Sequence, residues 1–126
     1  VYAGHDNGLS VGTEVQNLGS LPSGSNQVTY VFRVTNHLLS DTHLTALSIG
    51  DPTLFITETE MSVAAGSASL PLGSGESLIL YYEATLNVSG PMTNTASILM
   101  RAADETGTVY PDVDALDGSA SATVSD

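Results

Sequence analysis

Asp112, Asp114 and Asp117, with Gly118 directly after, crowd three carboxylates into one short stretch. Such a stretch suits a hard divalent cation. Ca²⁺ takes about six to eight oxygens, and a short acidic loop supplies carboxylates together with backbone carbonyls. Ca²⁺ is therefore the one cofactor the residues suggest, with Asp112, Asp114 and Asp117 as its ligands. The spacing is not that of an EF-hand, and no Glu follows at the closing distance. The same residues also read as an acidic, solvated connection between strands.

His5, His37 and His43 lack the grouping of a zinc site, which needs about three or four ligands held together, and they read as exposed loop histidines. Serines abound, and none is expected to form the Gly-x-Ser-x-Gly elbow of serine hydrolases. The carboxylate pairs Glu58/Glu60 and Asp104/Glu105 fall in expected loops, where nothing would raise one pKa and leave the other low. No catalytic residue is assigned, and the chain reads as a non-enzyme. Asn87-Val88-Ser89 is an N-glycosylation acceptor at an expected turn, so Asn87 is a candidate glycan site. A sugar-binding face would need an exposed aromatic platform. In a chain without Trp the candidates are Tyr2, Tyr81 and Tyr110.

The composition narrows the classes further. The 126 residues suit one domain, and 41% hydrophobic residues are too many for a disordered acidic tail. Two Arg and no Lys against 14 acids give a net charge of -12, which excludes neutralising a nucleic-acid backbone and repels an anionic membrane surface. No apolar run is long enough to span a bilayer. The absence of Cys removes disulfides and thiolate chemistry, and the absence of Lys removes Schiff bases and Lys–Asn isopeptide staples. The chain begins at Val1, with no basic leader, and reads as a processed or excerpted product.

The elements that must position these residues are strands. Residues 27–36 alternate Val28, Tyr30, Phe32 and Val34 against Thr29, Val31, Arg33 and Thr35, a period of two rich in β-branched and aromatic side chains. Residues 42–49 set Leu44, Ala46 and Ser48 opposite Thr45, Leu47 and Ile49, and Gly50-Asp51-Pro52 ends the run. Short strands are expected at 54–57 and 61–64. Residues 76–86 form the longest run, apolar on both faces in its middle (Leu78, Leu80 and Tyr82 against Ile79 and Tyr81), as a strand covered on both sides would be. Residues 92–101 and 119–125 complete the set. About seven short strands with regular turn signals predict an all-β, immunoglobulin-like antiparallel β-sandwich. The expected core is Val28, Tyr30, Phe32, Val34, Leu78, Leu80, Tyr82, Ile98, Ala122 and Val124. Residues 1–26 stand apart as a glycine-rich N-terminal arm ahead of a sandwich over 27–126.

Five stretches carry a resemblance: Val28 to Asn36, Leu44 to Pro52, Leu72-Gly73-Ser74-Gly75-Glu76-Ser77, Met92-Thr93-Asn94-Thr95-Ala96-Ser97, and Ser119 to Val124. In this order they resemble the conserved-repeat domains of bacterial and archaeal surface proteins. Ser74 stands where that family usually has proline, and the arm is longer than the family's first strand. The resemblance implies an immunoglobulin-like sandwich in secreted or surface-anchored proteins, without enzymatic activity.

An open sandwich edge invites strand pairing, and lysine, a common guard of such edges, is absent here. Residues 9–15 of the arm, with Leu9, Val11 and Val15 as anchors, are expected either to form the domain's own first strand or to add to the sheet of the next subunit. A repeated head-to-tail contact of the second kind gives a filament. The leading expectation is thus a non-covalent homopolymer, an extracellular fibre. The alternative is a spacer or adhesive module of a tandem-repeat surface protein, stiffened by Ca²⁺.

Overall fold

A computed structural model describes residues 1–37 and 41–126. The side chains of Ala46 and Leu47, which the sequence placed on opposite faces of one strand, lie outside the described residues. The fold is all-β, two packed sheets forming a β-sandwich. The described residues form nine strands: β1 (Tyr2–Ala3), β2 (Asn17–Leu18), β3 (Gly24–Thr35), β4 (His43–Asp51), β5 (Ile56–Thr57), β6 (Ser62–Val63), β7 (Ser77–Val88), β8 (Met92–Ala103) and β9 (Leu116–Val124). One sheet has the order β1-β3-β7-β6 and the other β2-β9-β8-β4-β5.

The count exceeds the expected seven because the arm contributes two short edge pieces, β1 and β2. The sandwich is also not wholly antiparallel. β2 runs parallel to β9, with Asn17 beside Thr123 and Leu18 beside Val124. The arm leaves β1 in the first sheet and crosses to the second without a hairpin, so it arrives in the direction of β9. β3 begins at Gly24, three residues before the start of the expected strand.

The core follows the period-two pattern where the two sheets meet. Val28, Tyr30, Phe32, Leu78, Leu80 and Val124 are buried as expected. Leu44 and Ile49 are both buried although they stand five positions apart, which strict alternation would put on opposite faces. One extra residue between Ala46 and Ser48 shifts the register of β4 on β8. This bulge resets the alternation, so both side chains reach the core. Val34, Tyr82, Ile98 and Ala122 are only partly buried.

Both faces of the middle of β7 are at least partly covered, as its sequence implied. On its outer face the ring of Tyr81 lies under Gly8, where a Cβ would come within 2.6 Å of the ring. Gly8 also has φ +78°, so glycine is required twice over at this position.

Candidate functional site

The two sheets close on one side and gape on the other. On the closed side, a 3₁₀ turn over Glu58–Glu60 carries the chain from β5 in one sheet to β6 in the other. On the other side the edges are β3 and β9. β1 covers β3 only at Thr29 and Val28, and the Gly4 amide reaches the Gln27 carbonyl. By strand alternation the backbone groups of Val31, Arg33 and Thr35 then point outward, and among the described strands residues 31–35 pair with β7 alone. β2 covers β9 only at Thr123 and Val124, and Gln16 adds a side-chain bond to the Ser121 carbonyl. Among the described residues most of β9 thus has no strand on its outer edge.

Between these edges lies a cleft of about 300 Å³. Its walls are Tyr30, Phe32 and Val34 from β3, Asn94, Ala96 and Ile98 from β8, and Gly118, Ala120 and Ala122 from β9, with Val1 at one end. The small residues of β9 stand opposite β8, Ala120 beside Ala96 and Gly118 beside Ile98. They leave the volume that larger side chains would fill. This explains why Val34, Ile98 and Ala122 are only partly buried: all three face the same unfilled space.

One end of the cleft is polar. Asp51 is fully buried and accepts hydrogen bonds from the amides of Thr53 (3.1 Å) and Leu54 (3.2 Å) and from Asn94 Nδ2. Burial, reinforced by the nearby Asp51 charge, pushes the Tyr30 hydroxyl up to about 12. Asn94 is 5% exposed, and its Oδ1 is buried without a hydrogen-bond partner. Native proteins leave few buried polar atoms in that state. Neither residue was expected at a site: Asp51 stood only in a strand-ending turn and Asn94 only within the run Met92 to Ser97. The signal was present: Asn94 is the one amide on the inward face Met92, Asn94, Ala96, Ile98 and Met100.

Arg33, one of only two cations in the chain, lies on the bare edge of β3 and forms an ion pair with Glu14 of the arm at 2.7 Å. The arm itself folds back on its own chain. Val1 and Val15 exchange backbone bonds, and His5 Nε2 meets the Ala84 carbonyl at 2.8 Å. Residues 9–15 are not a strand here. They run through turns closed by amide bonds from Leu9 to Asp6, Val11 to Gly8 and Thr13 to Ser10. Leu9 is 85% exposed, Val15 is exposed and Val11 is partly buried, so this chain leaves much of its apolar arm in water.

The other sequence-predicted sites do not assemble. Among the described residues no three His, Cys, Asp or Glu side chains are grouped to hold a metal ion. Asp112 and Asp114 lie exposed in the loop before β9, and Asp117 belongs to β9 itself, opposite Leu99. The strand starts earlier than expected and carries Asp117 away from the loop. Arg101 holds that loop through the Val113 carbonyl at 3.2 Å.

His5, His37 and His43 lie in separate segments, and His43 Nδ1 is taken up by the Asp41 carbonyl. Gly8-Leu9-Ser10-Val11-Gly12 does carry the letters of the hydrolase elbow, contrary to expectation. It forms turns and not a strand-to-helix corner, and Ser10 Oγ donates to the Asp6 carboxylate, with His5 held elsewhere. Tyr2 is buried and Tyr81 is partly covered, so with the exposed Tyr110 they make no common platform. Asn87 is exposed, but it lies within β7 beside Ser25 and not in a turn. No helix among the described residues is long and apolar enough to cross a membrane. In comparisons with known proteins, no family model, no curated protein and no solved structure matches this chain.

Proposed function

We propose that this chain is a non-enzymatic structural subunit of an extracellular filament, assembled non-covalently by β-strand addition between copies. The observation that carries the reading is the cleft between the bare edges of β3 and β9, which exposes unpaired backbone on both rims and an unfilled apolar interior between them. An incoming strand would satisfy both rims and fill the interior at once.

The donor is the N-terminal arm of a neighbouring copy, through Leu9, Val11 and Val15. Six residues of β3 rise about 20 Å at ~3.3 Å per residue, and the seven-residue segment 9–15, once extended, spans about the same length. Its apolar side chains recur at spacings of two and four and are poorly buried at home. The arm is also acidic where the β3 edge is basic, and Glu14 already pairs with Arg33 within one chain. The extracellular setting and the immunoglobulin-like character rest on the resemblance to conserved-repeat surface domains.

Electron microscopy of the purified chain, with and without its first 20 residues, tests the reading. The intact chain forms filaments and the truncated chain does not. Normal polymerisation of the truncated chain would remove the arm from the account.

A further inference from the structure

We infer that Asn94 is a polar socket that sets the register of the incoming strand, and that Thr13 of a second copy is the residue that enters it. This rests on the strand-addition reading above and adds which residue goes where. The cleft is apolar along most of its length and polar at one end only. Its apolar part lies between Phe32 and Val34 on one wall and Ala96 and Ile98 on the other. Its polar end holds Tyr30, Asn94 and, behind them, Asp51. Asn94 Nδ2 is committed to Asp51, so Oδ1 remains as an acceptor with no donor. A buried amide oxygen left without a donor is desolvated with nothing to offset the loss. An incoming strand with a hydroxyl at that level removes the cost, and one with an aliphatic side chain there does not.

The arm supplies such a pattern. In extended form Leu9, Val11, Thr13 and Val15 share one face. Laid antiparallel to β3, in the direction β1 already takes, Leu9 faces Val34, Val11 faces Phe32 and Thr13 faces Tyr30 and Asn94. Two aliphatic side chains then occupy the apolar part, and the single hydroxyl on that face meets Oδ1. A slip by two residues would set Val11 or Val15 against Asn94 and leave the acceptor bare, so the socket discriminates between registers. At home the Thr13 hydroxyl bonds only the Ser10 carbonyl, in an exposed turn.

Seating Thr13 at this level displaces Val1, which caps that end of the cleft. The resident segment holds β3 through two residue pairs, the Gly4 amide on the Gln27 carbonyl, the Thr29 hydroxyl on the Gly4 carbonyl and the buried Val1 and Tyr2, and the incoming arm must replace these while covering the whole free edge. Each displaced arm is then free to serve the next copy, and growth continues in one direction.

The test uses the full chain and the critical concentration for filament formation, measured by sedimentation. Thr13→Val keeps size and removes the donor, and Thr13→Ser keeps the donor. The expected result is about a tenfold rise in critical concentration for Thr13→Val, with Thr13→Ser close to the parent, while the monomer melting temperatures of all three agree. If Thr13→Val assembles like the parent, or Thr13→Ser is impaired as much as Thr13→Val, the socket is wrong while strand addition stands. If the parent chain forms no filaments at any concentration, strand addition itself fails, and the socket fails with it.

Discussion

Replacing Ala120 with isoleucine changes two properties that the open cleft ties together. Ala120 stands on β9 opposite Ala96 and lines the 300 Å³ space. Isoleucine adds three carbons at a strand position where β-branched side chains are favoured. Each buried methylene contributes about 0.8 kcal/mol, and half burial of the addition gives about 1 kcal/mol of stabilisation. For a domain of this size that raises the melting temperature by about 3–6 °C. The same carbons occupy the place of the donor strand, so Ala120→Ile should assemble poorly. The assay pairs calorimetry of the monomer with sedimentation of the polymer. A fall in melting temperature would mean that the space is already filled and the added carbons overpack it. A rise with undiminished assembly would mean that the cleft is not the acceptor.

Other consequences are as specific. Asp51→Ala leaves the amides of Thr53 and Leu54 and the Asn94 side chain without their shared acceptor, and should lower stability by about 3 kcal/mol in urea titration. A loss below about 1 kcal/mol would contradict the role given to that carboxylate. Gly8→Ala imposes a left-handed conformation costing about 1 kcal/mol and drives a methyl into the Tyr81 ring. It should lift the arm and speed proteolysis within residues 4–13, and unchanged cleavage would mean that the arm does not rest on Tyr81.

Acid and alkali should both destabilise. The Ser10 hydroxyl beside Asp6, the Thr57 amide beside Glu60, the Thr106 hydroxyl beside Asp104 and the Ser23 hydroxyl beside Asp126 hold these carboxyls below their ordinary values. Their stabilisation is complete above the ordinary values of 3.8 for Asp and 4.5 for Glu, and is lost as pH falls through the lowered ones. Tyr30 is raised, so its contribution is complete below 10.0 and is lost as pH rises towards about 12. Burial holds the Val1 ammonium below its ordinary 8.0, a destabilisation that is relieved as pH rises to 8.0. Melting temperatures should therefore climb up to about pH 8, hold to about pH 9 and fall in strong acid and strong alkali, and a fall between pH 5 and pH 8 would contradict this balance.

The strands were legible wherever one face is buried and the other wet. In β3 and β9 the period of two identified the inward side chains directly, and Val28, Tyr30, Phe32 and Val124 are buried as read. β4 was less legible, because strict alternation cannot place both Leu44 and Ile49 inside, and only the bulge does. The arm was misread locally. Residues 9–15 alternate like a strand, yet Gly8 and Gly12 at φ +78° and +107° turn the chain, and the actual strands are the short pieces Tyr2–Ala3 and Asn17–Leu18.

The aspartates of the last loop were a matter of distance in sequence against distance in space. Asp117 went into β9, and the loop carbonyls went to Arg101. The cleft was not visible in the sequence because it arises from what is missing. Ala120 and Ala122 alternate as core residues should, but they are too small to meet Phe32 and Val34 across the gap. The unpartnered oxygen of Asn94 belongs to the same category, since an inward amide announces a polar interior without saying whether its partner lies in the same chain.

A cross-link between copies tests the central claim most directly, and the absence of any native cysteine makes it clean. Val11→Cys is placed in one preparation and Ala120→Cys in another, and the two are mixed, polymerised and oxidised. Strand addition at the β3–β9 cleft predicts a disulfide between the two variants in the filament and none between variants kept monomeric. Filaments that form with no such cross-link, or a cross-link that forms equally in the absence of polymer, would contradict it.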